Sequence, residues 1–202
     1  MKFFLAVARG IDAFTTVIGK IMWWLTLFMV LVGVYNVLTR YGFSVVAAVF
    51  GQAVAEKASG NTYLELQTYS FNLVFLLGAA YVFRTDGHVR VDVIFTNLST
   101  RVKAWIDIIA TVAFLVPFSA MGIYFSHHYV AASWRVHETS PNPGGLARYP
   151  IKTVIIIAFA LLIAQGVSEI IKNIAYLSGR KGSGSIYATD DEDPQEESAV
   201  RA

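Results

Sequence analysis

The chain has 202 residues, of which 55% are hydrophobic and only 15% charged, against roughly 25% charged in soluble proteins, so its composition is that of a membrane protein. Sixteen Lys and Arg against fourteen Asp and Glu leave a net charge of +2, too little for the dense basic face that nucleic-acid affinity requires, and nucleic acid is excluded as the main partner. The lack of cysteine excludes disulfides, thiolate zinc sites, iron–sulfur clusters and cysteine nucleophiles.

At the N-terminus, KFFLAVARG holds an apolar stretch of six residues, Phe3–Ala8, shorter than the about 7–15 of a signal-peptide core. It reads as an uncleaved amphipathic entry to the first helix. Between Lys20 and Arg40 lie nineteen residues free of Asp, Glu, Lys and Arg, IMWWLTLFMVLVGVYNVLT. As a helix they extend about 28 Å, matching a hydrocarbon core of about 30 Å. Residues 41–55, YGFSVVAAVFGQAVA, are apolar but only fifteen long, which suits an interfacial or re-entrant helix better than a fifth span. The second charge-free run, Leu66–Phe83, has eighteen residues. The third, Ile108–Trp134, has twenty-seven, about 40 Å of helix, so it must tilt or project, with a kink expected at Pro117. The fourth, Thr153–Ser168, has sixteen, with Lys152 and Glu169 at its ends, where long side chains can snorkel. From Ser178 the composition changes to a Gly/Ser hinge and six acids between Asp190 and Glu197, which cannot bury a core and reads as disordered. The expected architecture is an all-α membrane protein. Its four transmembrane helices, at about 18–40, 64–84, 104–134 and 150–172, lie in a domain 1–177 followed by an acidic tail 178–202.

With four spans, the N-terminus, the second connection and the tail together carry eleven Lys and Arg, and the first and third connections carry five. The positive-inside rule then places both termini in the cytoplasm.

Chemistry is sparse. In the second connection the charges of RTDGHVRVD alternate, so it is either a solvated loop that holds topology or a charge-paired turn about Gly87 that sets the angle between two helices. His127 and His128 are adjacent, whereas a helical metal pair needs i and i+3 or i+4. His88 belongs at the opposite surface, so a facing haem pair does not form readily. A small membrane enzyme or haem subunit using His88, His127 or His128 is kept as the alternative. No G-x-S-x-G, H-E-x-x-H, P-loop or dinucleotide fingerprint is present, and no carboxylate lies in mid-span. Asn36, Glu65, Gln67, Asn72, Asp107, Gln165 and Glu169, near span ends, suit interhelical hydrogen bonds. Trp23, Trp24, Tyr35, Trp105 and Trp134 suit interfacial belts. The loop WRVHETSPNPGGLARYPIK, with Pro141, Pro143, Pro150, Gly144 and Gly145, implies a defined reversal close to the membrane, either a plain connector or an exterior docking surface.

The order E-L-Q (Glu65–Gln67), FLLGAAYVFRTDGHVRVDVI (Phe75–Ile94) and SPNPGGLARYPIK (Ser140–Lys152) resembles the small membrane subunit, DctQ type, of tripartite ATP-independent periplasmic (TRAP) transporters. The likeness runs from about Trp23 to Ile174. The resemblance implies a bacterial inner-membrane subunit for Na⁺-coupled uptake of organic acids, without catalysis or a cofactor of its own. Na⁺ and substrate are expected in the large membrane subunit, and a periplasmic binding protein would deliver the cargo. The small subunit would enlarge the static scaffold against which an elevator-like domain moves. Glu65, Gly78, Arg84, Gly87, His88, Arg90 and Asp92 would hold helices together and against the large subunit. Arg135, Glu138, Pro143, Gly144, Gly145, Arg148 and Tyr149 would form the periplasmic docking loop.

Overall fold

The structure, a computed structural model, describes residues 2–85, 98–179, 184, 185 and 187. Helix α1 runs Lys2–Tyr41, α2 Phe43–Phe50, α3 Gln52–Ala58, α4 Asn61–Arg84, α5 Thr100–Ala110, α6 Val116–Arg135 and α7 Tyr149–Leu177, with a π-helical turn Thr111–Leu115 joining α5 to α6. No strand occurs among the described residues, only an isolated antiparallel bridge between Thr139 and Ala147. Among the described residues, four stretches are long and apolar enough to cross a membrane: Lys2–Tyr41, Gln52–Arg84, Thr100–Arg135 and Tyr149–Leu177. They contain the four expected spans, and the chain is an all-α membrane protein.

The helices reach further than their charge-free runs. The amphipathic entry and the first span form one helix of 40 residues, about 60 Å, because the first proline in the chain is Pro117 and nothing earlier interrupts the ladder. The apolar segment after α1 is two short helices rather than one. Gly51 breaks it with φ 90° and ψ 155°, a conformation open to glycine and to almost no other residue. At Pro117 the structure widens the preceding turn. Proline has no N–H, and its ring crowds the carbonyl one turn back. The Val116 N–H bonds to the Thr111 carbonyl five residues earlier, which lets the helix continue past the proline.

The chain forms two compact units. The first draws its described residues from Met1–Thr16, Ala80–Gly122 and Phe159–Ala202. Within it the start of α1 runs antiparallel to the end of α7. Thr15 meets Gln165 at 2.9 Å, and Asp12 meets Ser168 at 2.7 Å and Lys172 at 3.1 Å. Gly166 brings α7 against the π turn: a Cβ there would stand 3.0 Å from Leu115 and 3.1 Å from Thr111.

The second unit comprises Val17–Ala79 and Ile123–Ala158. Its part of α1 runs antiparallel to α4. Gly33 lies under Gln67, the rings of Tyr35 and Tyr63 are 4.9 Å apart, and the Thr39 hydroxyl donates to the Ala58 carbonyl at 3.1 Å.

In both units the usual order of soluble proteins is inverted. Trp23 is 80% exposed, and Trp24, Phe114 and Phe125 are similarly bare, while Thr15, Glu65, Ser119, Gln165, Ser168 and Lys172 are buried together with Ala8, Ala80, Ala104 and Ala158. Small and hydrogen-bonding residues inside, with large apolar ones outside, are what packing in lipid demands, where leucine gains nothing by leaving the hydrocarbon and polar groups gain much by pairing.

Candidate functional site

In the second unit Glu65 projects from the first turns of α4 and is only 7% exposed. Its Oε1 accepts from the Ser140 hydroxyl and, at 2.9 Å, from Asn142 Nδ2, and its Oε2 accepts from the Leu146 N–H at 2.6 Å. One turn nearer the helix start, Thr62 donates to the Gly144 carbonyl at 2.5 Å. Glu65, read from the sequence as a helix-docking residue, is therefore the anchor of the loop 136–148. The loop closes on itself through Ser140 N–H to the Leu146 carbonyl at 3.0 Å and Arg148 N–H to the Glu138 carbonyl at 2.8 Å. Its glycines are required. Gly144 has φ 70°, and a Cβ on Gly145 would collide with the Ser140 Cβ.

The same loop is tied at its base. Helix α6 is closed by His137 in the left-handed region, φ 46°, and the Glu138 N–H returns to the Ser133 carbonyl at 3.0 Å, a glycine-type cap made by histidine. The Glu138 carboxylate accepts from the Lys152 ammonium and from the Ser133 hydroxyl at 2.7 Å, and these bonds hold its pKa below the usual carboxylate range, the lysine bond most strongly. Lys152 also lies over the Tyr129 ring, 4.0 Å from its centroid. Tyr149 packs edge-on to Trp134 at 4.6 Å and to His137 at 5.6 Å. Pro143 and Arg135 are exposed, and Arg148 is half-buried.

A second cluster, in the first unit, is built on Asp12, a residue that no sequence pattern singled out. Asp12 accepts from Ser168, from Lys172 and, at 2.9 Å, from Gln165 Nε2. Lys172 is shared with Glu169, and Arg84 stands 3.9 Å from Asp12 and donates to the Thr16 hydroxyl. Two acids and two bases neutralise one another beneath a largely apolar exterior. The available signal was that Asp12 is the only acid before Glu56. Arg84 thus reaches a polar partner on α1, whereas a Cβ on Gly78 would meet nothing within 4 Å. Gly87, His88, Arg90 and Asp92 lie outside the described residues.

His127 and His128 are exposed on α6 with ring centroids 4.1 Å apart. Among the described residues no three His, Asp or Glu side chains are grouped to hold a metal ion. The arrangement is one of braces: a carboxylate fastening a loop, a lysine–carboxylate tie at its base, and a neutralised ionic knot between helices.

The family model described as "Tripartite ATP-independent periplasmic transporters, DctQ component" matches residues 29–175. The chain belongs to the DctQ family. No curated protein and no solved structure matches it. It is thus the small membrane subunit of a TRAP transporter, a transporter component and not an enzyme. The DctQ match takes in Glu65, the loop and α7 as far as Ala175, and leaves Asp12 and everything after Ala175 outside.

Proposed function

We propose that this DctQ subunit is the stationary scaffold of a Na⁺-coupled importer of organic acids, pairing with the large transport subunit while the loop 136–148 helps dock the periplasmic binding protein. Both termini face the cytoplasm in this reading, and the protein resides in the bacterial inner membrane. The observation that carries it is that the clustered charged groups pair with one another. Asp12, Glu169, Arg84 and Lys172 are bound to one another, and Glu65 is bound to its own chain's loop. A cargo or cation site needs polar groups that a ligand completes, and these are completed internally. A scaffold needs stiffness, which such ties supply. The charges and polar rim left to the loop, Arg135, Arg148 and Tyr149 around the Pro143–Gly145 turn, fit a docking surface better than a passage.

The test is affinity purification of the tagged chain from its native membrane, followed by binding measurements on the isolated chain. The expected result is a stoichiometric large membrane subunit in the complex and no binding of Na⁺ or carboxylates by the chain alone. Recovery without that subunit, or saturable solute binding by the isolated chain, would overturn the reading.

A further inference from the structure

Beyond the end of α7, and outside the family match, the described residues Gly184, Ser185 and Tyr187 return to the first unit. Tyr187 is 2% exposed and Ser185 3%, values otherwise met among the described residues only inside helices. The Tyr187 hydroxyl donates to the Asp107 carboxylate on α5, and its ring lies 6.3 Å from that of Tyr176 on α7. Tyr176 in turn donates at 2.9 Å to the hydroxyl of Thr100, the first residue of α5. Ser185 donates to Asn173 Oδ1 at 2.7 Å, and its own hydroxyl receives the Tyr187 N–H at 3.4 Å. Gly184 has φ 74°, and a Cβ there would sit 3.6 Å from the Lys172 side chain, the cation of the buried ionic knot.

We propose that Gly184, Ser185 and Tyr187 form a strap across the ends of α5 and α7 that seals Lys172 from water, with Tyr187 as its locking residue. A polar, Gly/Ser-rich tail has no reason of its own to be ordered, because each fixed residue costs conformational entropy. Only specific contacts can offset that cost. The strap supplies them: an aromatic ring placed in a dry position, a hydroxyl bonded to a carboxylate, and a second hydroxyl bonded to a buried amide. Its glycine permits the left-handed turn that lays the backbone over Lys172. Closed, the strap ties α5 to α7 through residues far apart in sequence. Released, it opens the ionic knot to solvent, so Tyr187 and the helix ends are coupled.

The test uses the full chain in detergent or nanodiscs. Trypsin cleavage after Arg180 or Lys181 requires a stretch of chain long enough to enter the protease, and a strap closed at Gly184 leaves little beyond Leu177. Tyr187→Ala is expected to speed this cleavage roughly tenfold and Tyr187→Phe, which keeps the ring and loses the hydroxyl's bond to Asp107, by a smaller factor. Asp190→Ala should leave it unchanged. The chain has no cysteine, so Ser185→Cys introduces a unique thiol. It is expected to react slowly with maleimide, and quickly when combined with Tyr187→Ala. Equal cleavage of Tyr187→Ala and the unaltered chain, or fast labelling of Ser185→Cys alone, would overturn the strap.

Discussion

Replacing Glu65 with glutamine keeps the side chain's shape and removes its charge and one acceptor. In the native arrangement both oxygens are used: Oε1 faces the Ser140 hydroxyl and the Asn142 amide, and Oε2 faces the Leu146 N–H at 2.6 Å. In whichever flip the amide adopts, its NH₂ points at a donor. If it takes the Oε2 side, the Leu146 N–H loses its partner; if it takes the other, Asn142 does, while Ser140 can rotate its hydroxyl. The Leu146 amide is half-buried and Asn142 is exposed, so the second flip costs less and water repairs part of it. Losing the charge-assisted character of the remaining bonds adds to this, and the total comes to about 2 kcal/mol, at the low end for hydrogen bonds to charged groups. Because the three bonds close only the loop, the cost should appear as local opening, not global unfolding. Hydrogen exchange read by mass spectrometry over the loop peptide, including the amides of Ser140, Gly145 and Leu146, should accelerate by roughly thirtyfold in Glu65→Gln. Amides in the middle of α7 should not change. Exchange in the loop indistinguishable from that of the unaltered chain would refute the claim that Glu65 anchors it.

Asp12→Ala leaves Lys172 and Glu169 in the buried knot without the second carboxylate, and should destabilise the first unit by about 3 kcal/mol. The double variant Asp12→Ala with Arg84→Met, which leaves Lys172 and Glu169 as a balanced pair, should recover part of that loss, measured as a coupling in a thermal-unfolding double-mutant cycle. Gly122→Ala places a methyl 2.6 Å from the Phe159 ring and should cost about 1–3 kcal/mol, read as a lowered melting temperature, whereas Gly78→Ala meets open space and should cost nothing in packing. Glu138 has a pKa below the usual 4.5, so its contribution to holding the loop base is complete above that value and is lost as pH falls through the depressed pKa. The protection factors of the loop amides, each referred to the intrinsic exchange rate at that pH, should therefore fall at acid pH in the native chain, and Lys152→Met should shift that onset upward toward 4.5 by removing the main cause of the depression.

The spans were legible through their charges. A run of residues without Asp, Glu, Lys or Arg is a direct physical requirement of the hydrocarbon, and all four such runs lie inside the four apolar helices. Helix ends were less legible. The segment before the first span carries Arg9, Asp12 and Lys20, which argue against a bilayer span, yet it continues the same helix and packs Asp12 and Thr15 on α7. Gly51 was one glycine among fifteen, and its positive φ is set by how α2 and α3 are joined. The Pro143–Gly145 turn announced its own tightness, but its partner Glu65 is seventy-five residues from Ser140, with no local pattern linking them. Asp12 and Tyr187 were missed for the same reason. Each is a single polar residue whose role exists only once α7 is beside it.

The most direct test of the scaffold account is uptake into proteoliposomes that contain the large subunit, supplied with the binding protein, a Na⁺ gradient and a transported organic acid, with and without this chain. The account predicts that uptake requires the chain, while binding of solute and Na⁺ by the other components does not. Full-rate uptake without it would contradict the account.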